Sequence, residues 1–515
     1  MWEPFRNEPR TDFAVPENAA AYREALAKVR WRLEGHRPLV IGGEAVKARE
    51  KIVSLNPARP AEVVGTVAAA QPRHLEAALE AAWQAFPSWG GRTAEERAEV
   101  ILRLAAAMRR RKFELAAWET LEASKNWAEA DADVGEAIDF CEYYARQAVE
   151  FAKPVPVFQV PGETNQSWLE PLGAGAVIPP WNFPLAILVG MAVGPVAAGN
   201  TVVIKPSSYT PVVAGEFMDA VAAAGIPPGV INYLPGRGDR VGEGLVDHVR
   251  TRFVNFTGSR AVGVRLCQRA ARVRPGQKWL KRACTELGGK DAIVVDETAD
   301  LEAGVAAVVQ SAFGYQGQKC SAASRLIVVA EVYNQVLERL AAAAGRLTVG
   351  PAEENCQVAA VISETQYRSI LAEIEAGRSQ GRLVLGGKAL DRDGGYFITP
   401  TIFADVAPDA RLAQREVFGP VLAVIKARDF DDAVAIFNGT DYGLTGGLFS
   451  RSRERLERAK REFQVGNLYL NRGITGALVG VQPFGGLKLS GSNAKAGGPD
   501  YLRLFLEMKT VAERL

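Results

Sequence analysis

The chain has 515 residues, 48% of them hydrophobic, and carries 61 Lys and Arg against 59 Asp and Glu. This length predicts two or three domains around large cores, and the near balance of charge lacks the basic excess of a nucleic-acid-binding protein. The five cysteines form no C-x-x-C pair, which argues against a disulfide framework and against a metal site. The first ten residues lack the apolar run of a secretory signal, so we expect a cytoplasmic protein.

The N-terminal third alternates short strands with long helices. Hydrophobic periodicity predicts helices at 17–34, 72–86, 93–116 and 128–150, and strands at 38–43, 53–57 and 63–67. Prolines and alternating valines follow over 153–171 and predict an exposed hairpin arm. Because such arms often pack on a second copy of a chain, this segment indicates a homodimer or a higher homo-oligomer.

The stretch from Pro171 to Asn200 contains no charged residue, which raises the possibility of a membrane span. Four prolines after Pro171, together with five glycines, divide it into short pieces. We interpret these pieces as a buried strand at 174–178, a buried helix at 185–198 and, beyond the stretch, a buried strand at 201–204. A crossover of this kind belongs in a parallel sheet that is covered on both faces, so we expect no membrane contact.

The same alternation continues to the end of the chain. We predict helices at 211–224, 300–314, 331–345 and 452–463, and strands at 230–234, 252–256, 292–295, 325–329, 383–386, 421–425 and 466–471. Alternating strands and helices are typical of an α/β fold with a doubly wound sheet.

Cys320 lies in the stretch from Phe313 to Leu326, with two glycines before it and small residues after it. A thiol on such a loop leaves room for a substrate carbon, and the neighbouring Lys319 would favour the nucleophilic thiolate. The alternative is that Cys320 is a buried small hydrophobic residue, as most free cysteines are. None of the three histidines has a motif-like setting, so a nucleophilic Cys320 would need a carboxylate as its base.

Other turns are weak signals when taken singly. Gly236-x-Gly238-x-x-x-Gly242 departs from the dinucleotide fingerprint in its last spacing, although a helix start after a strand readily binds phosphate. Ser259 opens a helix after a strand and has the alternative interpretation of an ordinary N-cap. Asn182, between aromatic residues and prolines, is either a loop anchor or a donor to an oxyanion. Glu286 precedes a Gly-Gly turn that could equally be a surface loop.

Together these turns resemble the motifs of the aldehyde dehydrogenase superfamily, in that family's order. The segments are Trp181-Asn182-Phe183-Pro184, Lys205-Pro206, Phe256-Thr257-Gly258-Ser259, Glu286-Leu287-Gly288-Gly289-Lys290, Gly317-Gln318-Lys319-Cys320, Glu416-Val417-Phe418-Gly419-Pro420 and Pro483-Phe484-Gly485-Gly486. The resemblance spans almost the whole chain. It implies an aldehyde dehydrogenase-like α/β fold with a doubly wound cofactor-binding domain, an α/β catalytic domain and a small β oligomerisation arm.

Further segments resemble the 1-pyrroline-5-carboxylate dehydrogenase branch of that family, which oxidises L-glutamate γ-semialdehyde to glutamate in proline and arginine breakdown. They are residues 5–9, 130–140, 320–325 and 471–486. This resemblance implies a small-molecule amino-acid semialdehyde as substrate and a possible proline dehydrogenase as partner. The alternatives are a dehydrogenase of another semialdehyde, such as succinate semialdehyde, and a non-catalytic relative like some crystallins, against which the intact motifs argue.

The family resemblance also implies residue roles. Cys320 attacks the aldehyde, Asn182 and the Cys320 N–H stabilise the oxyanion, and Glu286 activates the water that hydrolyses the thioester. The implied cofactor contacts are Trp181, Lys205, Ser208, Gly238, Ser259, Val262, Glu416 and Phe418. The implied substrate contacts are Phe183, Ser321, Gly476, Ala477 and Phe484.

The implied cofactor is NAD, with NADP possible. Many NAD-preferring members carry a glutamate three residues after the lysine that corresponds to Lys205, and Ser208 stands there in this chain. Because serine would not repel a 2′-phosphate as a carboxylate does, we predict a preference for NAD with measurable use of NADP.

The resemblance also divides the chain. It implies a dinucleotide-binding domain over 1–152 and 172–285, a catalytic domain over 286–486, and an oligomerisation arm made of 153–171 and 487–515.

Overall fold

A computed structural model describes residues 2–514; Met1 and Leu515, which end two of the predicted domain segments, lie outside the described residues. The first part of the chain contains α1 (Pro16–Arg30), β1 (Gly35–Arg37), β2 (Leu39–Ile41), β3 (Glu44–Val46), β4 (Lys51–Asn56), β5 (Arg59–Ala68), α2 (Pro72–Gly90), α3 (Ala94–Arg110), α4 (Lys112–Ala123), α5 (Trp127–Phe151), β6 (Glu163–Pro171), β7 (Ala174–Ile178), α6 (Ala186–Ala197), β8 (Thr201–Ile204), α7 (Pro211–Ala223), β9 (Ile231–Tyr233), α8 (Glu243–Asp247), β10 (Phe253–Thr257), α9 (Arg260–Ala271) and β11 (Arg282–Glu286).

The second part contains β12 (Asp291–Val295), α10 (Leu301–Phe313), β13 (Ala323–Val329), α11 (Tyr333–Ala344), α12 (Glu364–Gly377), β14 (Arg382–Leu385), β15 (Ala389–Leu390), β16 (Phe397–Ile398), β17 (Thr401–Ala404), α13 (Arg411–Gln414), β18 (Val421–Ala427), α14 (Phe430–Asn438), β19 (Tyr442–Gly443), β20 (Thr445–Phe449), α15 (Arg453–Glu462), β21 (Asn467–Leu470), β22 (Leu487–Lys488) and β23 (Leu506–Arg514).

The first large sheet has the strand order β11-β10-β7-β8-β9-β2-β3. Strands β7 to β11 run parallel to one another, and β2 and β3 form an antiparallel hairpin at one edge. The uncharged run supplies β7, α6 and β8, and nearly every residue of these three elements is buried. A helix that is apolar on all sides is a core helix, so the predicted buried crossover is confirmed. Among residues 2–514, none of the helices is both long and apolar enough for a bilayer.

The second large sheet has the order β14-β17-β18-β13-β12-β20-β21 and is parallel except at β14. Its core contains Ile293, Leu326 and Val424, all fully buried. Two parallel sheets covered by helices confirm the predicted α/β class. The division of the chain into domains stays a prediction.

Several predicted boundaries are wrong. The helix expected over 93–116 is capped by Thr93 and begins at Ala94, but it breaks at Arg111, whose backbone leaves the helical region. The Arg111 guanidinium turns to pair with Glu216 on α7, a carboxylate with no solvent exposure. Glu216 also pairs with Arg32 and Arg37, and the break lets Arg111 join this cluster around a buried charge. The first helix also ends at Arg30 rather than at residue 34.

The predicted arm pairs differently from a simple hairpin. Strand β6 runs antiparallel to β23 at the far end of the chain along its whole length, while the segment before β6 adds one bridge, from Val155 to Ser167. The segment before β23, expected as part of the arm, pairs through β22 with β19 and then passes the end of β11. There Leu287 N–H donates to Ser490 O at 2.8 Å and Ser492 N–H donates to Thr285 O at 2.8 Å.

Candidate active site

The carboxyl ends of the first sheet's parallel strands carry most of the predicted site residues. Asn182 follows β7, Lys205 follows β8, Ser259 lies between β10 and α9, and Glu286 is the last residue of β11. Carboxyl ends of parallel strands meet at one edge of a sheet, where open α/β folds bind their ligands. The fold therefore brings together residues that lie more than a hundred positions apart in the sequence.

Cys320 lies on the loop between α10 and β13, and this loop is strained. Tyr315 and Gln316 have φ values of 49° and 55°, in the left-handed region. Hydrogen bonds from the Tyr315 hydroxyl to Ala123 O at 2.9 Å and from Gln316 Nε2 to Ala360 O at 3.0 Å hold them there. Gly317 has a φ of 67°, and a Cβ at that position would lie 2.3 Å from Gly419 O. The loop therefore requires glycine there, and its rigidity fixes the thiol.

The Cys320 thiol is held in its neutral form. Burial raises its pKa far above the usual range, and the carboxylates of Asp291, Glu416 and Glu286 raise it further, while the Ser321 N–H lowers it. The Lys319 ammonium pairs with Glu129 at 3.1 Å. The expectation that Lys319 stabilises the thiolate is therefore not supported, and an activated Cys320 needs a base.

A cavity of 670 Å³, here called the cleft cavity, runs from Cys320 along the first sheet's carboxyl edge. Every predicted cofactor contact lines it: Trp181, Lys205, Ser208, Gly238, Ser259, Val262, Glu416 and Phe418. Asn182 lines it as well. The Trp181 and Phe418 rings form an edge-to-face pair with centroids 5.4 Å apart. Phe418 has a φ of 57°, so its placement costs backbone strain of the kind found at ligand clamps.

Polar groups of the cleft cavity have spare bonding capacity. The buried Lys205 ammonium donates to Pro206 O at 2.9 Å and to Gly236 O at 3.3 Å, which leaves one of its three N–H groups, and burial lowers its pKa to about 8. Ser259 occupies the N-cap of α9, yet within the described residues its hydroxyl accepts no capping bond. A helix start with a free hydroxyl suits an anion.

Glu416 lies at the other side of the cleft cavity. Its Oε1 accepts a hydrogen bond from Gly289 N–H at 3.1 Å, and burial raises its pKa to about 7. A Cβ at Gly288 would lie 2.2 Å from Glu416 Oε2. The Gly-Gly turn after Glu286 is therefore a close approach of backbone to carboxylate, and the alternative of a plain surface loop is wrong.

A smaller cavity of 110 Å³, the inner cavity, lies on the other side of Cys320. It is lined by two catalytic candidates, Glu286 and Cys320, and by every predicted substrate contact. These contacts are Phe183, Ser321, Gly476, Ala477 and Phe484. Gly476 has a φ of 73°, a left-handed conformation that favours glycine. Cys320 lines both the cleft cavity and the inner cavity, together with Ile187, Thr257 and Leu287.

Glu286 has one bonded and one free carboxylate oxygen. Its Oε1 accepts a hydrogen bond from Ala494 N–H at 3.1 Å, and its buried Oε2 has no hydrogen-bond partner among residues 2–514. Burial raises its pKa to about 8, while the Ala494 and Gly486 N–H groups and the Lys495 charge act in the opposite direction. An unpartnered buried oxygen with a pKa near neutrality is suited to proton transfer.

Asn182 is a loop anchor, the first of its two alternative roles, and it keeps a donor for the second. Its Nδ2 donates to Gln318 O at 3.0 Å, so the side chain anchors the loop that carries Cys320. A primary amide has two N–H groups, and the second remains for a ligand beside Cys320 in the cleft cavity.

Sequence reasoning missed several residues around these cavities. Glu136, Phe140, Gln482 and Tyr501 line the inner cavity. Glu136 stands between Asp133 and Asp139 at three-residue spacing on α5, and burial raises its pKa to about 8. Acidic residues repeated at helical spacing on an otherwise buried helix were the available signal. Lys125, which lies 4.0 Å over the Phe183 ring, carried no such signal.

A third cavity of 830 Å³, the outer cavity, shares Phe183, Glu136 and the 476–479 turn with the inner cavity and contains the Lys319–Glu129 pair. Arg10 and Arg472 also line it. Within residues 2–514, no group of three or more His, Cys, Asp or Glu is arranged to hold a metal ion.

Comparison with known proteins places these features in a family. Residues 45–511 match the model of the aldehyde dehydrogenase family. A 1-pyrroline-5-carboxylate dehydrogenase of Geobacillus kaustophilus is 54% identical over 514 residues, covering 100% of both chains. The structure of a Thermus 1-pyrroline-5-carboxylate dehydrogenase with bound NAD is 58% identical, with a TM-score of 0.99 over 100% of both chains. Proline utilization A of Bdellovibrio bacteriovorus has a TM-score of 0.97 and 46% identity over 99% of this chain, which covers 53% of that protein's chain. The chain therefore belongs to the aldehyde dehydrogenase family.

Proposed function

We propose that this protein oxidises L-glutamate γ-semialdehyde, the open form of 1-pyrroline-5-carboxylate, to L-glutamate with NAD as the electron acceptor. The observation that carries the proposal is that Cys320 lines two cavities, one lined by cofactor-type contacts and one by substrate-type contacts. The full-length relatives named above carry that enzyme's name.

The cleft cavity fits a dinucleotide. Ser259 and the start of α9 would hold the pyrophosphate together with Trp181. Lys205 and Glu416 would bind ribose hydroxyls, since Lys205 has a free N–H and Glu416 a free carboxylate oxygen. Gly238, Val262 and Phe418 would complete the walls. When bound there, NAD supplies a hydride acceptor beside Cys320.

The chain's own groups account for the other steps. Glu286 takes the proton of the Cys320 thiol, and the thiolate attacks the aldehyde carbon to give a thiohemiacetal. The free N–H of Asn182 and the Cys320 N–H stabilise the oxyanion. Glu286 releases the Cys320 proton to solvent before the second half of the reaction. After hydride loss leaves a thioester, Glu286 Oε2 accepts a proton from water, the hydroxide adds to the thioester carbon, and the C–S bond breaks to give the carboxylate and the Cys320 thiol.

The inner cavity suits a short amino-acid chain. Phe183 and Phe484 would enclose the methylene groups, while the N–H groups of Gly476 and Ala477 and the Ser321 hydroxyl would bind the α-carboxylate. The left-handed Gly476 allows the close backbone approach that this requires.

Ser208 lines the cleft cavity and places no carboxylate there. We therefore expect NAD to be preferred and NADP to be used measurably, because a 2′-phosphate meets no repulsion from this side chain.

We also propose an oligomeric state, a location and a source of the substrate. The β6–β23 ribbon is two-stranded and exposes Met508 and Val511, while the segment before β6 leaves the Phe158 side chain 99% exposed. An isolated two-stranded ribbon is marginally stable, so we propose that a second copy of the chain covers it in a homodimer or larger oligomer. We further propose a cytoplasmic location and a proline dehydrogenase as supplier of substrate, since 1-pyrroline-5-carboxylate is proline less two hydrogens.

A steady-state assay of NADH formation tests the proposal. The protein should oxidise 1-pyrroline-5-carboxylate with NAD, more slowly with NADP, and far more slowly with succinate semialdehyde, which lacks the α-amino group. Cys320→Ala should abolish turnover while NAD binding, followed by titration calorimetry, persists. Turnover that survives in Cys320→Ala would refute the mechanism, and a preference for succinate semialdehyde would refute the substrate.

A further inference from the structure

Lys495 is a partly buried cation behind Glu286 to which the proposed chemistry gives no role. Its ammonium is enclosed by oxygen atoms of two segments that precede it in the chain. The acceptors are Gly466 O at 2.6 Å, Gly485 O at 2.9 Å, Asn467 Oδ1 at 3.1 Å and Pro483 O at 3.4 Å. These uncharged oxygens provide acceptors for all three N–H groups of the ammonium.

The backbone of Lys495 is strained to reach this site. Its φ is 38°, in the left-handed region, which side chains other than those of glycine, asparagine and aspartate rarely adopt. Such strain persists only when surrounding contacts outweigh it. The contacts of the ammonium are therefore part of what holds residues 494–496 in place, beside the backbone hydrogen bonds of Ala494 and Ala496.

The segments joined by Lys495 are the wall that surrounds Glu286. Ala494, the preceding residue, donates its N–H to Glu286 Oε1 at 3.1 Å. A Cβ on Gly485 would lie 2.9 Å from the same oxygen and 2.8 Å from Lys495 N, so these three backbones touch. Phe484 and Ala496 exchange two backbone hydrogen bonds of 2.9 and 2.8 Å. These bonds join Phe484, a predicted substrate contact, to the segment that carries Lys495.

Lys495 also acts on Glu286 through its charge. Burial raises the pKa of Glu286 to about 8, and the nearby Lys495 charge lowers it. Loss of the ammonium would remove a charge that stabilises ionised Glu286, as well as the hydrogen bonds that join the surrounding segments.

We infer that Lys495 is a positioning residue for Glu286: its ammonium holds the segments that fix Oε1, so that the free Oε2 is directed at the acyl group on Cys320 during hydrolysis. The inference rests on the proposed function, because it assumes that Glu286 performs the hydrolytic step. It assigns Lys495 no contact with substrate or cofactor.

The test uses p-nitrophenyl acetate, which needs neither NAD nor the semialdehyde. The Cys320 thiolate displaces p-nitrophenolate and becomes acetylated, and water then releases acetate and restores the thiol. In Lys495→Met the deacylation rate should fall roughly 10- to 100-fold, a part of the 10²–10⁴-fold that a positioned general base supplies. The acetylation rate should fall less, because external base can deprotonate the thiol before the ester arrives, whereas the attacking water needs a base positioned at the acyl group. Acid-quenched samples should show acetylated enzyme by intact mass spectrometry, and the midpoint of the deacylation pH profile should move upward.

Lys488→Met is the matched control. Lys488 has a φ of 51° in the same C-terminal segment, and its ammonium also donates to two carbonyls, Asn438 O at 2.7 Å and Thr440 O at 3.1 Å. It makes no contact with the Glu286 wall, so both rates and the pH midpoint should be unchanged.

Lys495→Arg should recover most of the deacylation rate and the original midpoint, because it keeps the charge and the donors. Should Lys495→Met fold poorly, Lys495→Gln, which keeps donors without charge, should still show the upward midpoint. Equal loss of acetylation and deacylation, or an unmoved midpoint in both neutral variants, would overturn the inference. A wild-type enzyme that deacylates normally but forms no NADH from 1-pyrroline-5-carboxylate would overturn the proposed function alone.

Discussion

Replacing Glu286 by glutamine separates the two halves of the proposed reaction. The glutamine Oε1 can still accept the Ala494 N–H, which wild-type Glu286 binds at 3.1 Å. The remaining group, in place of the free Oε2, becomes an amide NH₂ that cannot take a proton. Because hydride loss precedes hydrolysis, we expect a variant that forms the thioester and then stops.

The size of the effect follows from the setting of the carboxylate. With a pKa of about 8, about a tenth of Glu286 is ionised at pH 7. The ionised form is the base, so the wild-type hydrolysis rate should rise about tenfold per pH unit below pH 8 and level off above it. Glu286→Gln should lose this pH dependence and about 10²–10⁴ in hydrolysis rate, or about 3–5 kcal/mol of transition-state stabilisation.

Rapid-mixing measurement of NADH decides the question. In Glu286→Gln, NADH should form to about one equivalent per Cys320 and then almost stop, provided that a small amount of external base still deprotonates the thiol. Glu122→Gln removes another buried carboxyl, whose pKa burial raises to about 7 and which bonds Ser54 and the start of α7 away from both cavities. That control should turn over continuously. Unimpaired turnover by Glu286→Gln, with its pH dependence intact, would refute the assignment of the base.

Three further substitutions test the remaining assignments. Asn182→Ala removes one oxyanion donor and should lower the rate of thioester formation about 10²–10³-fold, measured in a single turnover; a normal rate would make Asn182 a loop anchor only. Glu416→Gln weakens a charge-assisted bond to a ribose hydroxyl and should raise the Kd for NAD at least about tenfold by calorimetry; an unchanged Kd would exclude that contact. Ser208→Glu should reduce NADP use at least about tenfold with little effect on NAD, compared as kcat/KM; equal loss with both would contradict the role of this position.

The parts of the fold that depend on local pattern could be predicted from the sequence. Pro-interrupted apolar segments identified β7, α6 and β8, and the start of α3 was predicted to within one residue. The break at Arg111 could not be predicted, because it accompanies an ion pair with Glu216 on a helix that lies a hundred residues further along. Local propensity favours a continuous helix there, and tertiary pairing overrides it.

The candidate site, like the fold, could be predicted from the sequence only in part. Loop chemistry drew attention to Cys320, and the scarcity of histidines predicted a carboxylate base, but only the family resemblance selected Glu286 among 59 acidic residues. The structure adds the reason why Glu286 suits the role, since Oε2 is buried and unpartnered. It also corrects the role expected for Lys319, whose neighbour in sequence is Cys320 but whose partner in space is Glu129.

The segment after residue 486 shows how far the site depends on contacts that no local pattern reveals. The sequence favoured assigning this segment to an oligomerisation arm, yet only its last strand joins β6. The residues before that strand return to β11, and the hydrogen bond from Ala494 to Glu286 joins positions 208 apart in the chain. Closing so long a loop costs conformational entropy, and the strained backbone of Lys495 adds to that cost. Glu286 lies at the end of an edge strand, where one side has no strand neighbour, so a return of the chain is what excludes water from its carboxylate and raises its pKa. The ammonium of Lys495 offsets part of the cost of that return, which is why its removal should affect hydrolysis before it affects attack by Cys320.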